Sequence, residues 1–508
     1  MGEKQKNFSP VVAACFTLNY VIGAGILTIP WAFNKAGLLL TSCVMIVVGI
    51  LSIISSDYLL STMARADAIT TFNATKKYLE SYEHENAIDL APTSAISSLK
   101  SSKETERLIQ SYQNSHAISS ITDIDTNIDK LSVKDRKFEL TELCQLFLGD
   151  YGFRIYTTSI TLYLYGLLWA YTSVFANAMD RSLPLNQLNE MENFDSYKFY
   201  VLLFASVVVP LSLMDLSEQI AIQVSLSVCR LLIIAFIVIT PLAASFATLD
   251  LDQTHGYFGD QTYPKGAILF QPSGIPKMLP IVVFSCIFHH GIPGLSQEVK
   301  RKSALGNIFG ITLIICTVAY TIIGIVAAWY FGDGVNESIN LNWATYHGPN
   351  SGRLASFISA YTVIFPAFDV VSAFPLNALV LSNSLYGAFY ELQHSTGVSV
   401  KDDIDDEKAP PKQIKYGFRL ISCVPPLIGG YFERNLSTIT DYTGLLGLLI
   451  GFCFPALLYV ASERQLQQLN LPSDTLYSRF GSTAKVANFV FVFGLFSIIF
   501  NFLQLVLE

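Results

Sequence analysis

The chain has 508 residues, 51% of them hydrophobic and 14% charged, with a mean hydropathy of +0.43. A water-soluble protein of this balance would be coated in apolar surface, so the main solvent of this chain is a lipid bilayer. The net charge of −8 comes mostly from two polar insertions and leaves no basic stripe, which argues against a nucleic-acid partner.

An α-helix rises 1.5 Å per residue, so crossing a hydrocarbon core of about 30 Å takes about 20 apolar residues. About eleven such stretches follow in chain order, near residues 10–33, 36–60, 153–178, 199–214, 219–247, 277–297, 306–331, 354–382, 416–432, 440–461 and 486–507. Their length and continuity exclude the short alternating strands of a β-barrel. The expected fold is an all-α membrane protein.

Between the spans, residues 62–137 form a long polar insertion with too few apolar residues for a core, expected to be disordered. Phe138, Leu140, Leu143 and Phe147 share one helical face, which predicts an interfacial helix leading into the third span. A short acidic linker with Pro410-Pro411 is expected near residues 395–415. The chain thus divides into helices 1–2 over residues 1–61, the insertion over 62–137, and helices 3–11 over 138–508. Loops rich in Lys and Arg stay in the cytoplasm, and a cytoplasmic N-terminus places Lys300-Arg301-Lys302, Lys401 to Arg419, Arg479 and Lys485 there together. The eight cysteines show no CxxC pair or metal spacing, and no nucleophile triad or nucleotide loop is present. No enzyme activity, resident metal or organic cofactor is expected.

Backbone in hydrocarbon has to satisfy its own hydrogen bonds, so Gly and Pro inside a span mark places where a helix breaks against a cavity. The first span is interrupted at Gly23-Ala24-Gly25, with Pro30 following; the sixth carries His289-His290-Gly291-Ile292-Pro293-Gly294, with its break expected near His290-Gly291. Breaks at positions one and six of a five-plus-five arrangement point to an inverted-repeat secondary transporter. Freed amides face an anionic group and freed carbonyls a cation, so an amino-acid zwitterion suits the space between them. Gly23, Ala24, Gly25, His290 and Gly291 are the resulting substrate-binding candidates.

Residues Asn19 to Gly37 read Asn-x-x-x-Gly-Ala-Gly-Ile-Leu-x-x-Pro-x-Ala-Phe-x-x-Ala-Gly, which resembles the first-helix signature of the amino acid/auxin permease family. Further likeness lies at Phe288, His290, Pro293 and Glu298, at Tyr330-Phe331-Gly332-Asp333, and at Pro455-Ala456-Leu457-Leu458-Tyr459. Within that family, Tyr163-Leu164-Tyr165-Gly166, Asp215, Arg230 and Phe374-Pro375 are most similar to the orphan transmembrane protein 104-like branch. The resemblance implies an eleven-helix, LeuT-like bundle and amino-acid transport driven by H⁺ or Na⁺. The branch itself implies no settled substrate. Asp369, in Pro366-Ala367-Phe368-Asp369, departs from the wider family.

The resemblance implies that Asn19 is a sodium ligand in partnership with Thr362, or with Ser359 one turn earlier, although the spacing to the following prolines differs from the sodium-coupled pattern. Charges inside a span cost roughly 2.5 to 3.5 kcal/mol and tend to be paired and functional, which makes Arg230 and Asp369 a candidate gating pair, with Asp369 an alternative proton acceptor. An imidazole at the second break can take a proton or bind substrate, and His290 is the position that matches the family. Tyr163 and Tyr165 are placed to reach a substrate carboxylate from the third helix, and Tyr165 is taken as the site residue. The expected function is H⁺- or Na⁺-coupled symport of neutral amino acids by alternating access, by a monomer in the plasma membrane or a vacuolar or lysosomal membrane. The rival is an amino-acid sensor with little or no flux, signalling through the cytoplasmic insertion.

Overall fold

The computed structural model describes residues 8–23, 25–88, 130–134, 136, 138–183, 185, 195–247, 257–258, 268–349, 352–395, 412–434, 443–479 and 481–507. The first expected span is two helices, α1 (Pro10–Val21) and α2 (Gly25–Ala36), bent by 55° at the glycines. Ser9 caps α1 by accepting a hydrogen bond from the Val12 amide, and Pro10 opens the helix where its missing N–H costs nothing.

The next helix, α3 (Leu38–Ile88), does not stop at residue 61, so the expected start of the polar insertion at 62 is corrected. The first part of its continuation, through Ile69, is buried because its polar residues find partners in the protein. Arg65 is 1% exposed. Its guanidinium donates to the carbonyls of Tyr459 and Ser473 at 2.9 and 3.0 Å and lies 4.4 Å from the Tyr459 ring centroid. The remainder of the insertion, residues 89–129, lies outside the described residues.

Helix α4 (Leu140–Ser182) contains the expected lead-in, set off from the span by a kink at Gly149, whose φ of 68° is a left-handed conformation that favours glycine. The chain continues through α5 (Ser196–Leu213) and α6 (Ile220–Ala247). The sixth span is again divided, into α7 (Ile275–Ser285) and α8 (Ile292–Glu298). Then come α9 (Leu305–Phe331), α10 (Arg353–Ser395), α11 (Lys412–Phe432), α12 (Phe454–Gln468), preceded by a π-turn at Leu449–Cys453, and α13 (Ala484–Leu507). The expected acidic linker ends where α11 begins, and residues 396–411 lie outside the described residues.

Among the described residues nine helices are long and apolar enough to cross a membrane, ten when α1 and α2 count as one span. The stretch expected near 416–432 forms α11, a helix of 21 residues made less apolar by Lys412, Lys415 and Arg419. The chain is an all-α, multi-pass membrane protein. Large apolar side chains such as Ile311, Ile314, Phe496 and Phe502 point outward, as lipid-facing surfaces require, while Asn19, Arg230 and Asp369 are buried.

Asp215, between α5 and α6, accepts hydrogen bonds from Lys415 Nζ at 2.8 Å and from Arg419, tying that connection to α11. Partial burial alone would raise its carboxyl, but the two cations outweigh it and hold it below the usual carboxylate range. A lowered carboxylate stabilises the fold above its unfolded pKa of about 3.9 and loses that contribution as pH falls through the folded value. The side chain is 47% exposed, so solvent screening limits the effect to about 0.5–1 kcal/mol. Thermal denaturation of the solubilised protein is expected to show Asp215→Asn less stable than wild type at pH 7, with the gap closing below about pH 4.

Candidate functional site

The two interrupted spans leave backbone groups without helical partners, and neighbouring helices supply replacements. At the first break α1 ends at Val21, whose carbonyl accepts from Tyr320 Oη of α9 at 2.9 Å. At the second, Cys286 to Phe288 leave the helix and His289–Gly291 form one 3₁₀ turn before α8. The interruption therefore begins about one turn before the expected His290-Gly291. Ser52 of α3 donates to the Cys286 carbonyl at 2.6 Å, and His289 Nε2 lies 3.1 Å from the Ser52 carbonyl.

The breaks meet at close quarters because each carries a glycine. A Cβ at Gly25 would lie 2.5 Å from Ser285 Oγ and 3.3 Å from Ser285 Cα. One at Gly291 would lie 2.9 Å from the Tyr20 ring. Between them is a cavity of about 10 Å³, room for about one water. Gly23, Gly25 and Tyr20 line it from the first break, and Ser285 and His290 from the second. Tyr163 and Tyr171 close it from α4, and Asn377 from α10.

His290 is fixed on two sides. Its Nε2 is 2.7 Å from Asn377 Oδ1, and its ring meets those of Tyr163 and Tyr20 edge-on at 5.5 and 5.8 Å. Asn377 Nδ2 donates to the Ala373 carbonyl at 2.9 Å, which turns the Asn377 oxygen toward His290 and makes Nε2 the donor. Nδ1 has no hydrogen-bond partner among the described residues.

Two expected site residues fall elsewhere. Tyr165 donates to the Ile421 carbonyl of α11 at 2.9 Å, away from the cavity. Residues two positions apart on a helix are turned from each other by about 200°, so Tyr163 rather than Tyr165 faces the breaks. Gly291 packs against Tyr20 without lining the cavity, and Ala24 lies outside the described residues.

Beside the cavity, α1, α6 and α10 share a buried polar network. Arg230 Nε donates to Asp369 Oδ1 at 2.7 Å, with both side chains 1% exposed. The same guanidinium donates to Ser372 Oγ at 2.7 Å and to the amide oxygen of Asn19. That oxygen also accepts from Ser227 Oγ at 2.8 Å, and Asn19 Nδ2 donates to Gln223 Oε1 at 2.7 Å and to the Gln223 carbonyl at 2.8 Å. A fixed guanidinium thus stands against the Asn19 oxygen where a sodium ion was expected. Thr362 Oγ1 and Asp369 Oδ2 are buried with no hydrogen-bond partner among the described residues, and Ser359 donates instead to the Trp343 carbonyl at 2.7 Å.

Gln223, Ser227, Ser372 and Asn377 were not anticipated. Gln219, Gln223, Ser227 and Arg230 recur at spacings that place them on one face of an otherwise apolar helix, a pattern that would have identified three of the network's members. Asn377 carries no such signal.

Over residues 6–84 and 112–505 the sequence matches the model of a family described as transmembrane amino acid transporter protein. It is similar to the transmembrane protein 104 homologs of Dictyostelium discoideum, at 23% identity over 90% of this chain and 89% of that one, and Drosophila melanogaster, at 24% over 97% and 95%. Human transmembrane protein 104 is 21% identical over 92% of this chain and 90% of its own. These relatives bear the name of the branch that the sequence resembles. Among solved structures, a substrate-bound, outward-open Na⁺-coupled sialic acid symporter aligns over 98% of this chain and 91% of its own with a TM-score of 0.49 and 11% identity, too distant a likeness to carry an argument.

Proposed function

Because the chain belongs to the transmembrane amino acid transporter protein family, we propose that it carries neutral amino acids across a membrane together with protons, by alternating access around the two helix breaks. The observation that carries this reading is the cavity between the breaks, whose lining contains hydroxyls, one imidazole, one amide and backbone groups but no Asp, Glu, Lys or Arg. A zwitterion brings its own compensating charges to such a place. Its carboxylate matches the N-terminal end of α2, and its ammonium the C-terminal ends of α1 and α7, whose dipoles favour a cation. A charged substrate side chain would have no counter-ion there, which favours neutral amino acids. His290 Nδ1 and the Tyr163 and Tyr171 hydroxyls supply directional contacts.

A space of about 10 Å³ is far too small for an amino acid, so binding requires the half-helices to part. Rocking of α1 and α8 against α4 and α10 provides that movement. Arg230 against the Asn19 oxygen supports protons over sodium as the coupling ion, since a second cation at that oxygen would meet the guanidinium. Asp369, with one oxygen bonded and one bare, is the proposed proton acceptor.

Uptake of a panel of radiolabelled amino acids into proteoliposomes tests this reading. At least one neutral amino acid is expected to accumulate under an inward proton gradient, with no change when sodium is replaced by potassium. Uptake that needs sodium and ignores the proton gradient would overturn the coupling.

A further inference from the structure

The connection between α12 and α13 is short, yet it is tied to elements from all parts of the chain. We propose that residues 473–479, 481 and 482, with a strap made by residues 131–134, Arg136 and Phe138, form a releasable lock on the face where α8 ends, and that opening this face requires the lock to part.

The strap and the connection form one parallel bridge: Leu131 donates from its amide to the Asp474 carbonyl and accepts from the Leu476 amide, both at 2.9 Å. Tyr477 sits at the centre. Its hydroxyl accepts from the Val133 amide at 3.3 Å and donates to the Lys302 carbonyl, just beyond α8, at 2.9 Å. From the other side Gln297, next to the last residue of α8, donates to the Arg136 carbonyl of the strap at 2.8 Å. The helix that follows the second break is therefore held at its end by both partners. Val133, Thr475 and Tyr477 are at most 3% exposed, so water does not compete for these bonds.

The catch is an ion pair with a prepared slot. Arg479 Nε lies 3.8 Å from Asp57 Oδ2 of α3, too long for a hydrogen bond, and Asp57 Oδ1 is buried with no hydrogen-bond partner among the described residues. A Cβ at Gly306 of α9 would lie 2.0 Å from Arg479 Nη2, so the guanidinium occupies space that any larger residue would fill. A well-made structural pair would use both carboxylate oxygens; a long pair over a bare glycine is one that can separate. The inference needs only that the breaks move, and does not depend on which solute is carried.

The test reads opening directly. The full-length protein in lipid nanodiscs is treated with a hydrophilic maleimide, and labelling of Cys286, 1% exposed at the second break, is followed by peptide mass spectrometry. Tyr477→Phe removes both hydroxyl bonds while keeping the ring, and Gly306→Ala closes the slot for Arg479. Two hydrogen bonds of ordinary strength correspond to a shift of roughly tenfold in the open fraction, so Cys286 labelling should rise by about that factor in Tyr477→Phe and in the same direction in Gly306→Ala. Cys423 of α11, fully buried, should label as in wild type. Unchanged Cys286 labelling in both variants overturns the proposal. So does a parallel rise at Cys423, which would show general loosening. Because no solute enters the measurement, failure of the lock and failure of the transport reading are separately visible.

Discussion

Arg230→Met and Asp369→Asn, made singly, are each expected to destabilise the solubilised protein by about 3–5 kcal/mol, while the double mutant loses much less. The charges are 2.7 Å apart and 1% exposed, so removing one partner leaves the other desolvated and uncompensated. Arg230→Met also strips a donor from the Asn19 oxygen and from Ser372, although Ser227 still serves the former. Denaturation midpoints of the four proteins should therefore rank wild type, then double mutant, then both single mutants. Singles no worse than the double would mean that the pair contributes nothing as a pair. In uptake assays Asp369→Asn is further expected to abolish the response to a proton gradient while substrate binding persists. An unchanged pH profile would move the proton elsewhere.

Gly25→Leu should abolish uptake while the protein still reaches the membrane. Gly25 is a substrate-binding candidate on sequence grounds, and in the structure a side chain there first meets α7, with Ser285 Oγ 2.5 Å from the new Cβ. Overpacking of this kind costs roughly 1–3 kcal/mol and wedges apart the two half-helices that have to close on the substrate. Gly25→Ala should show a weaker form of the defect, and adding Ser285→Gly should relieve it by removing the atoms nearest the new methyl. Normal uptake by Gly25→Leu, or no relief in the Gly25→Ala/Ser285→Gly double mutant, would contradict close approach at this crossing.

The apolar spans were legible because hydrocarbon demands long runs of apolar residues, and the two interruptions, the second to within about a turn, because a broken helix in a membrane needs glycine or proline nearby. Arg230 and Asp369 stood out for the same reason, as charges in spans that otherwise exclude them. Less visible were choices between near neighbours on one helix. Tyr163 and Tyr165 are equally aromatic, and only the rotation of α4 decides that one meets His290 and the other Ile421. Polarity misled at residues 62–69, where Arg65 and Asp67 look like a solvated loop but are buried against Tyr459 and Lys134. Residues 473–479 carry no motif, and their place in the proposed lock comes from partners more than a hundred positions away in sequence.

Equilibrium binding and time-resolved uptake, measured for one neutral amino acid on the same proteoliposome preparation, test the central claim most directly. Transport around the two breaks predicts saturable binding and saturable accumulation that are both lost in Gly25→Leu, with accumulation following the imposed proton gradient. Saturable binding with no accumulation under any gradient would contradict transport and identify the protein as a sensor.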